Sequence, residues 1–386
     1  MILKEFLQYI GFCAPIISSM GCGIMLIIYR RTQGKTEEST LYRLLIAYFL
    51  TISLMWACAM TYVFFPMLYV RINICFYLGL FWGQVVFYQF VYTLTRVPGE
   101  KAFSKIHYII PLVIVSIFAI WSAFVPFETQ VYLVTSRGKT APGYEAYSRL
   151  FTSRLIFRGI WNILYTILAW WRLLAYRRMI TDYSANADRS SLSWVQLLLL
   201  ISFSLVPPSV LSAIFSKQVL ISSLLLLIPQ LLLVVQHAIV CYNMAVGNFI
   251  VINYPEDDIT GTQEEKEPEI ETEIEPEIDR KIFEKHIYEH RPYLNPDLRI
   301  TDLMQFFHTN RTYLSRFINR EYNMNFSRYI NTLRLRELER LRNDSSRSHL
   351  PDEELVFLAG FSNYRSYLRV HKMEKERNKE INELQN

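Results

Sequence analysis

Cysteine is scarce and badly placed for chemistry. The 386-residue chain has five, Cys13, Cys22, Cys58, Cys75 and Cys241, and each lies inside an apolar stretch. None is spaced as C-x-x-C, which excludes a disulfide framework and a zinc ribbon. What is left is cysteine as a small buried hydrophobe. Charge is sparse as well, at 19% of residues against 52% hydrophobic. There is no small-residue cleavage site after the first apolar run, which ends in Tyr29-Arg30-Arg31. That run is also too long for the apolar region of a signal peptide, so it reads as a retained membrane span. No catalytic constellation stands out, so the chain is expected not to be an enzyme and to need no cofactor or metal.

What is there falls into three regimes. Residues 1–254 are apolar and aromatic, with a net charge of +11. Residues 255–279 are almost purely acidic, at −11. Residues 280–386 are Arg-rich and show helical periodicity, at +5. The modest total of +5 therefore describes none of them.

A helix needs about 20 apolar residues to cross a bilayer. Seven stretches qualify as candidates: Phe6–Tyr29, Leu44–Phe65, Ile72–Leu94, Ile106–Phe127, Leu155–Trp171, Leu192–Phe215 and Val219–Val240. The fifth is the shortest. Lipid forces a backbone to satisfy its own hydrogen bonds, so each run is expected to be helical. Positive charge collects in cytoplasmic loops. With the N-terminus outside, the inside loops carry Arg30, Arg31, Lys35 and Arg43, then Arg96, Lys101 and Lys105, then Arg172, Arg177, Arg178 and Arg189. Seven spans in that orientation put the C-terminus in the cytoplasm. The longest outside loop, Glu128–Ser153, holds Tyr132, Tyr144 and Tyr147, and reads either as a sensory surface or as a connector. Asn73, Gln84, Gln89, Asn162 and His237 lie within the spans, where polar groups usually join helices.

Residues 255–279 include Pro-Glu-Ile-Glu-Thr-Glu-Ile-Glu-Pro-Glu-Ile-Asp. Prolines and like charges at this density resist packing, so a flexible acidic tether is expected. A second reading has it cover the Arg-rich domain that follows.

From Asp279 the pattern turns helical. Phe283, Ile287 and Tyr288 form a first face, ended by Pro292 and Pro296. Thr301 is a suitable N-cap for Asp302–His308, with Leu303, Phe306 and Phe307 on its apolar side. Thr309-Asn310 turns into Arg311–Arg320, with Tyr313, Leu314 and Phe317 inward and Arg311, Thr312, Ser315 and Arg316 outward. A long amphipathic helix follows from Phe326 to about Arg342, its inner face Phe326, Tyr329, Ile330, Leu333, Leu338 and Leu341. The plan then repeats. Pro351 opens a helix packed through Leu355, Val356 and Leu358, Gly360-Phe361 turns, and Ser362 or Asn363 caps a helix carrying Tyr364, Arg365, Ser366 and Arg369. Two helix-turn-helix units suit major-groove reading. Basic residues at helix N-termini suit phosphate and base contacts.

The run Asn310-Arg311-Thr312-Tyr313-Leu314-Ser315-Arg316-Phe317 resembles the AraC/XylS family of transcription regulators. So do Phe326-x-x-Tyr329-Ile330-Asn331-x-Leu333-Arg334-Leu335, Gly360-Phe361-Ser362-Asn363-Tyr364-x-x-Tyr367-x-Arg369 and Tyr293-Leu294-Asn295-Pro296-Asp297-Leu298. The likeness covers about the last hundred residues. The whole plan is similar to bacterial members in which a multi-span region replaces the usual sensor domain. The resemblance implies base reading by Thr312, Ser315 and Arg316, and by Tyr364, Arg365, Ser366 and Arg369. The chain departs from the family at Asn323, where glycine is usual, and at Val356, where alanine is usual. It also lacks the closing signatures after Lys372. His286-Ile287-Tyr288-Glu289-His290 fits a zinc-peptidase pattern, but no third ligand accompanies it, and a solvated helix face is the expected role.

The expected fold is all-α: a seven-helix transmembrane bundle, an acidic linker and a two-unit helix-turn-helix DNA-binding domain. The expected function is a membrane-tethered, one-component regulator of the cytoplasmic membrane. Its partners would be double-stranded DNA, membrane lipid and an unidentified small-molecule or protein signal. A homodimer is compatible with this reading, although no heptad run long enough for a coiled coil is present. A signalling adaptor whose C-terminal domain binds protein, and a transporter with an accessory domain, are the alternatives.

Overall fold

The computed structural model describes residues 2–33, 39–97, 100–136, 139–186, 189, 191–204, 206, 227–252, 278–347 and 349–385. The described residues are all-helical, and their one β feature is an isolated antiparallel bridge between Ser184 and Arg299. The chain divides into two compact units.

The first unit takes residues 1–95, 101–173 and 193–247. Its helices are α1 (Ile2–Gln33), α2 (Ser39–Phe64), α3 (Pro66–Leu94), α4 (Ile106–Ala123), α5 (Phe127–Thr135), most of α6 (Glu145–Ile180), α7 (Ser193–Ser204) and α8 (Leu227–Val246). Five stretches are long and apolar enough to cross a membrane: Tyr9–Thr32, Ser39–Phe64, Pro66–Leu94, Ile106–Ala123 and Leu227–Val246. They mark the chain as a membrane protein. The expected fifth span lies in α6, which is long but carries Arg149, Arg154 and Arg158. The sixth is described only as α7, too short to cross, and residues 205 and 207–226 lie outside the described set.

Helix α2 packs between α1 and α3, and α1 also meets α8. Gly79 and Gly83 on α3 permit this approach, because a Cβ there would stand 3.1 Å from Met55 Cβ and 3.0 Å from Ile52 Cδ1 of α2. Large apolar side chains such as Leu50, Leu54, Ile117 and Ile120 point outward. Lipid, unlike water, makes that face inexpensive to expose. The buried polar groups tie helices together. Ser18 of α1 hydrogen-bonds the ring of His237 of α8 at 2.9 Å, and Tyr108 of α4 donates to Gln89 of α3. The expected long outer loop is largely helical: α5 occupies its start and α6 begins at Glu145. Tyr147 is buried, its hydroxyl 2.8 Å from that of Ser122.

The second unit takes residues 96–100, 174–192 and 248–386. It therefore does not begin at a linker: the last turns of α6 and the stretch after it belong to it. The acidic segment lies outside the described residues save Ile278 and Asp279. Helices α9 (Arg280–His290), α10 (Ile300–Phe307), α11 (Arg311–Tyr322), α12 (Phe326–Arg342), α13 (Asp352–Leu358) and α14 (Tyr364–Gln385) follow. The inner face expected for α12 is buried throughout. One core forms around Phe283, whose ring lies 5.2 Å from Phe307, 5.0 Å from Phe317 and 5.8 Å from Tyr329. A second gathers Leu338, Leu341, Leu355, Val356, Phe361 and Tyr367.

Short helices depart from the pattern. Helix α10 begins two residues earlier than a Thr301 cap would place it, at Ile300. The Asp302 carboxylate accepts the Arg299 N–H at 2.8 Å and fixes that start. Met304 takes the buried place expected of Phe306, which is exposed, as are Tyr288 and Leu358. Asn323 ends α11 in the left-handed region at φ 52°, ψ 38°, a conformation asparagine tolerates.

Candidate nucleic-acid interface

Two short helix pairs, α10–α11 and α13–α14, stand at either end of α12, which packs on α11 and on α13. Each second helix starts on an asparagine. Asn310 Oδ1 accepts the Tyr313 N–H at 3.0 Å, and Asn363 Oδ1 accepts the Ser366 N–H at 2.8 Å. Of the two caps considered for α14, Asn363 is therefore the one used. Such a cap satisfies one of the free amides at a helix start and leaves the others, with the positive end of the helix dipole, facing outward.

The side chains proposed to read bases are placed unequally. On α11, Thr312 and Arg316 are exposed, and Arg311 and Ser315 are half-buried. On α14, Asn363 and Arg365 are exposed, and Tyr364 and Arg369 are half-buried. Ser366 is buried, at 3% exposure. Tyr364 is engaged within the domain, its hydroxyl 3.3 Å from Asp352, which also holds Arg342 through two hydrogen bonds of 2.8 and 2.7 Å. Thr312, Ser315 and Arg316 thus share one outward face, whereas the α14 set is split between outside and inside.

The turn in the second pair depends on Gly360. Its φ is +92°, and a Cβ there would lie 2.4 Å from the Tyr293 carbonyl oxygen and 2.7 Å from Leu294 Cα. No side chain fits.

The largest polar feature of the unit escaped sequence reasoning. Arg334, 1% exposed, is enclosed by oxygens. It donates to the carbonyls of Tyr293 at 2.7 Å, Asn295 at 2.7 Å and Ala185 at 3.0 Å, and to Asn331 Oδ1 at 3.1 Å. Burial pulls its pKa down to about 10, which still leaves it charged at neutral pH, and Asp297 opposes the fall. Asn331 also donates to Ala185, at 3.2 Å. The one available signal was Asn331-x-x-Arg334, two polar residues three apart on the same face of a helix that buries its apolar stripe.

The His286 ring stacks on Phe306 at 3.5 Å and on His290 at 4.5 Å. Among the described residues no group of three or more His, Cys, Asp or Glu side chains could hold a metal ion. The expected solvated role holds for His290, while His286 is half-buried.

No family model, no curated protein and no solved structure matches the chain.

Proposed function

We propose that the chain is a membrane-tethered, one-component transcription regulator, with residues 280–386 as its sequence-specific DNA-binding domain. The observation that carries the reading is the repeated plan of the second unit. A short helix, a turn and an asparagine-capped helix with outward arginine occur twice, joined by α12. Helices so presented suit adjacent major-groove segments about one turn apart. The motifs that resemble AraC/XylS regulators fall on these elements. Thr312, Ser315 and Arg316 would read bases in one groove. Arg365 and Arg369 would serve the other, since Ser366 is buried and Tyr364 is held by Asp352, and Asn310, Arg311 and Asn363 would anchor phosphates at the helix starts.

In this reading seven helices cross the cytoplasmic membrane of a bacterium, with the N-terminus outside and the DNA-binding domain inside. The bias of arginine and lysine toward the inside loops supports the orientation. The signal is a small molecule or protein met by the membrane region.

Genome-wide crosslinking of the full-length protein in its native cell tests the proposal, beside an Arg316→Ala, Arg369→Ala double variant. Discrete sites in the wild type that vanish in the variant are the expected result. No sites under several growth conditions, with the protein present, would turn the reading to an adaptor that binds protein through this domain.

A further inference from the structure

A guanidinium drawn out of water needs an opposite charge and oxygen acceptors to offset the loss. Arg154, in the third turn of α6, has neither in full. Its guanidinium lies over three rings, 3.3 Å from the centre of Phe151, 4.3 Å from that of Tyr77 of α3 and 4.9 Å from that of Phe118 of α4. Its Nε donates to the Phe151 carbonyl. Its Nη1 is buried and meets no acceptor among the described residues. Of the carboxylates nearest in sequence, Glu145 accepts the Gly143 N–H at 2.9 Å, and both Glu145 and Glu128 are exposed. Ring faces hold the charge, but they offer no lone pairs to the fork of N–H groups that pairs best with an oxyanion.

The hydroxyls beside it add to the surplus of donors. Tyr69 and Tyr77 of α3, 2% and 6% exposed, place their oxygens 2.8 Å apart. Such a pair shares one hydrogen bond, so one of its two protons is left to donate elsewhere. The next pair is closed by contrast. The Tyr147 oxygen lies 2.8 Å from that of Ser122, and the Ser122 hydroxyl donates to the Phe118 carbonyl at 2.8 Å. The rings form one wall, Tyr77 packing on Phe118 at 5.2 Å and Phe118 on Tyr147 at 6.1 Å. The wall is built by the first halves of α3 and α6 and the last turns of α4. In the orientation proposed above, these lie toward the outer side.

Unmet donors, one positive charge and apolar walls define an occupant. It must present acceptor oxygens only, as a carboxylate does and an amide, alcohol or amine does not. It must carry a single negative charge. Among the described residues no second cation lies over these three rings, and a dianion would bring a charge that nothing balances. Its body must be apolar enough to lie against aromatic faces. We propose that Arg154, Tyr69, Tyr77 and Phe118 form a binding site for a small monocarboxylate with an apolar body. The carboxylate accepts from Nη1 and from the free hydroxyl of the tyrosine pair, and the body packs on the rings. The site stands whether or not the last domain reads DNA, and its test uses no DNA.

The test is photolabelling of the full chain in phosphatidylethanolamine–phosphatidylglycerol vesicles with para-azidobenzoate, the labelled peptides being mapped by mass spectrometry. Label should fall on the peptides of α3, α4 and α6 that carry Tyr77, Phe118 and Arg154. Benzoate should displace it, and benzamide, of the same shape without the charge, should need a concentration about tenfold higher or more. Arg154→Gln should weaken displacement by benzoate about tenfold, while Arg149→Gln, exposed on the same helix, should leave it unchanged. If Arg154→Gln does not fold, the competition on the wild type decides alone. Label found only elsewhere, or displaced equally by benzamide, overturns the site. Displacement by inorganic phosphate as readily as by benzoate overturns the carboxylate, and assigns Arg154 to phosphate, free or in a lipid headgroup. An equal loss in Arg149→Gln overturns the role of Arg154.

Discussion

The two helix pairs at the ends of α12 follow one plan and carry different loads. In the first, the cap, Thr312 and Arg316 serve only their own helix and the outside. In the second, Tyr364 is tied to Asp352, Asp352 to Arg342, and Ser366 is buried. Its turn is wedged against Tyr293 and Leu294. The second pair is thus fastened to the rest of the domain at Gly360 and Tyr364, whereas Thr312 and Arg316 of the first pair are exposed. A repeated sequence pattern fixes a backbone plan, but the neighbours decide which copy keeps its surface free.

The comparison breaks most visibly at Gly360. Gly360→Ala should cost about 2–4 kcal/mol, from left-handed strain and from a Cβ forced into backbone. Hydrogen exchange on the full chain should rise in α13 and the start of α14 and leave α11 unchanged; equal loosening of both pairs would deny their independence. The next effect is in DNA affinity. Arg316→Ala should weaken specific binding by ~1–3 kcal/mol, as expected for a bidentate base contact, and Ser366→Ala should change it far less in a gel-shift titration. A larger loss at Ser366 would mean that its burial does not persist on DNA.

Smaller effects test the caps and the charge network. Asn310→Ala and Asn363→Ala should each cost about 1 kcal/mol of local stability. The loss should stay within α10–α11 for the first and reach the Asp352–Arg342 pair for the second. Glu337 is buried between Arg340, at 2.7 Å, and Arg291, at 3.6 Å. Hydrogen bonds from Arg340 hold its carboxyl below its ordinary value, against burial, with Arg291 adding to the effect. Its contribution to stability is therefore full above the ordinary glutamate value and is lost as pH falls through the lowered one. Exchange in α12 should quicken on that acid limb in the wild type and lose the dependence in Glu337→Gln.

Much of this was legible in the residues, and the boundary is physical. The buried face of α12 follows the helical period over 17 residues, long enough for the pattern to average out single exceptions. Helix α10 has 8 residues and α13 has 7, so one shifted start or one polar neighbour reassigns a face, as happened at Phe306 and Leu358. The asparagine caps were readable because their chemistry is local. The burial of Ser366 was not, because it depends on packing beyond its own helix. The enclosure of Arg334 was hidden for a like reason: its partners come from residues 185, 293, 295 and 331. In the membrane region, five spans could be recognised from composition alone, because lipid rewards apolar length irrespective of neighbours.

The grip of Arg334 on Ala185 also has a history in time. The two residues are 149 positions apart. At about 5–20 residues per second, a ribosome needs roughly 7–30 seconds to travel from one to the other. Ala185 is therefore already made when the helix that will hold it emerges. The last domain completes its fold on a segment laid down earlier, so a C-terminal fragment made alone would lack a piece of its own interior.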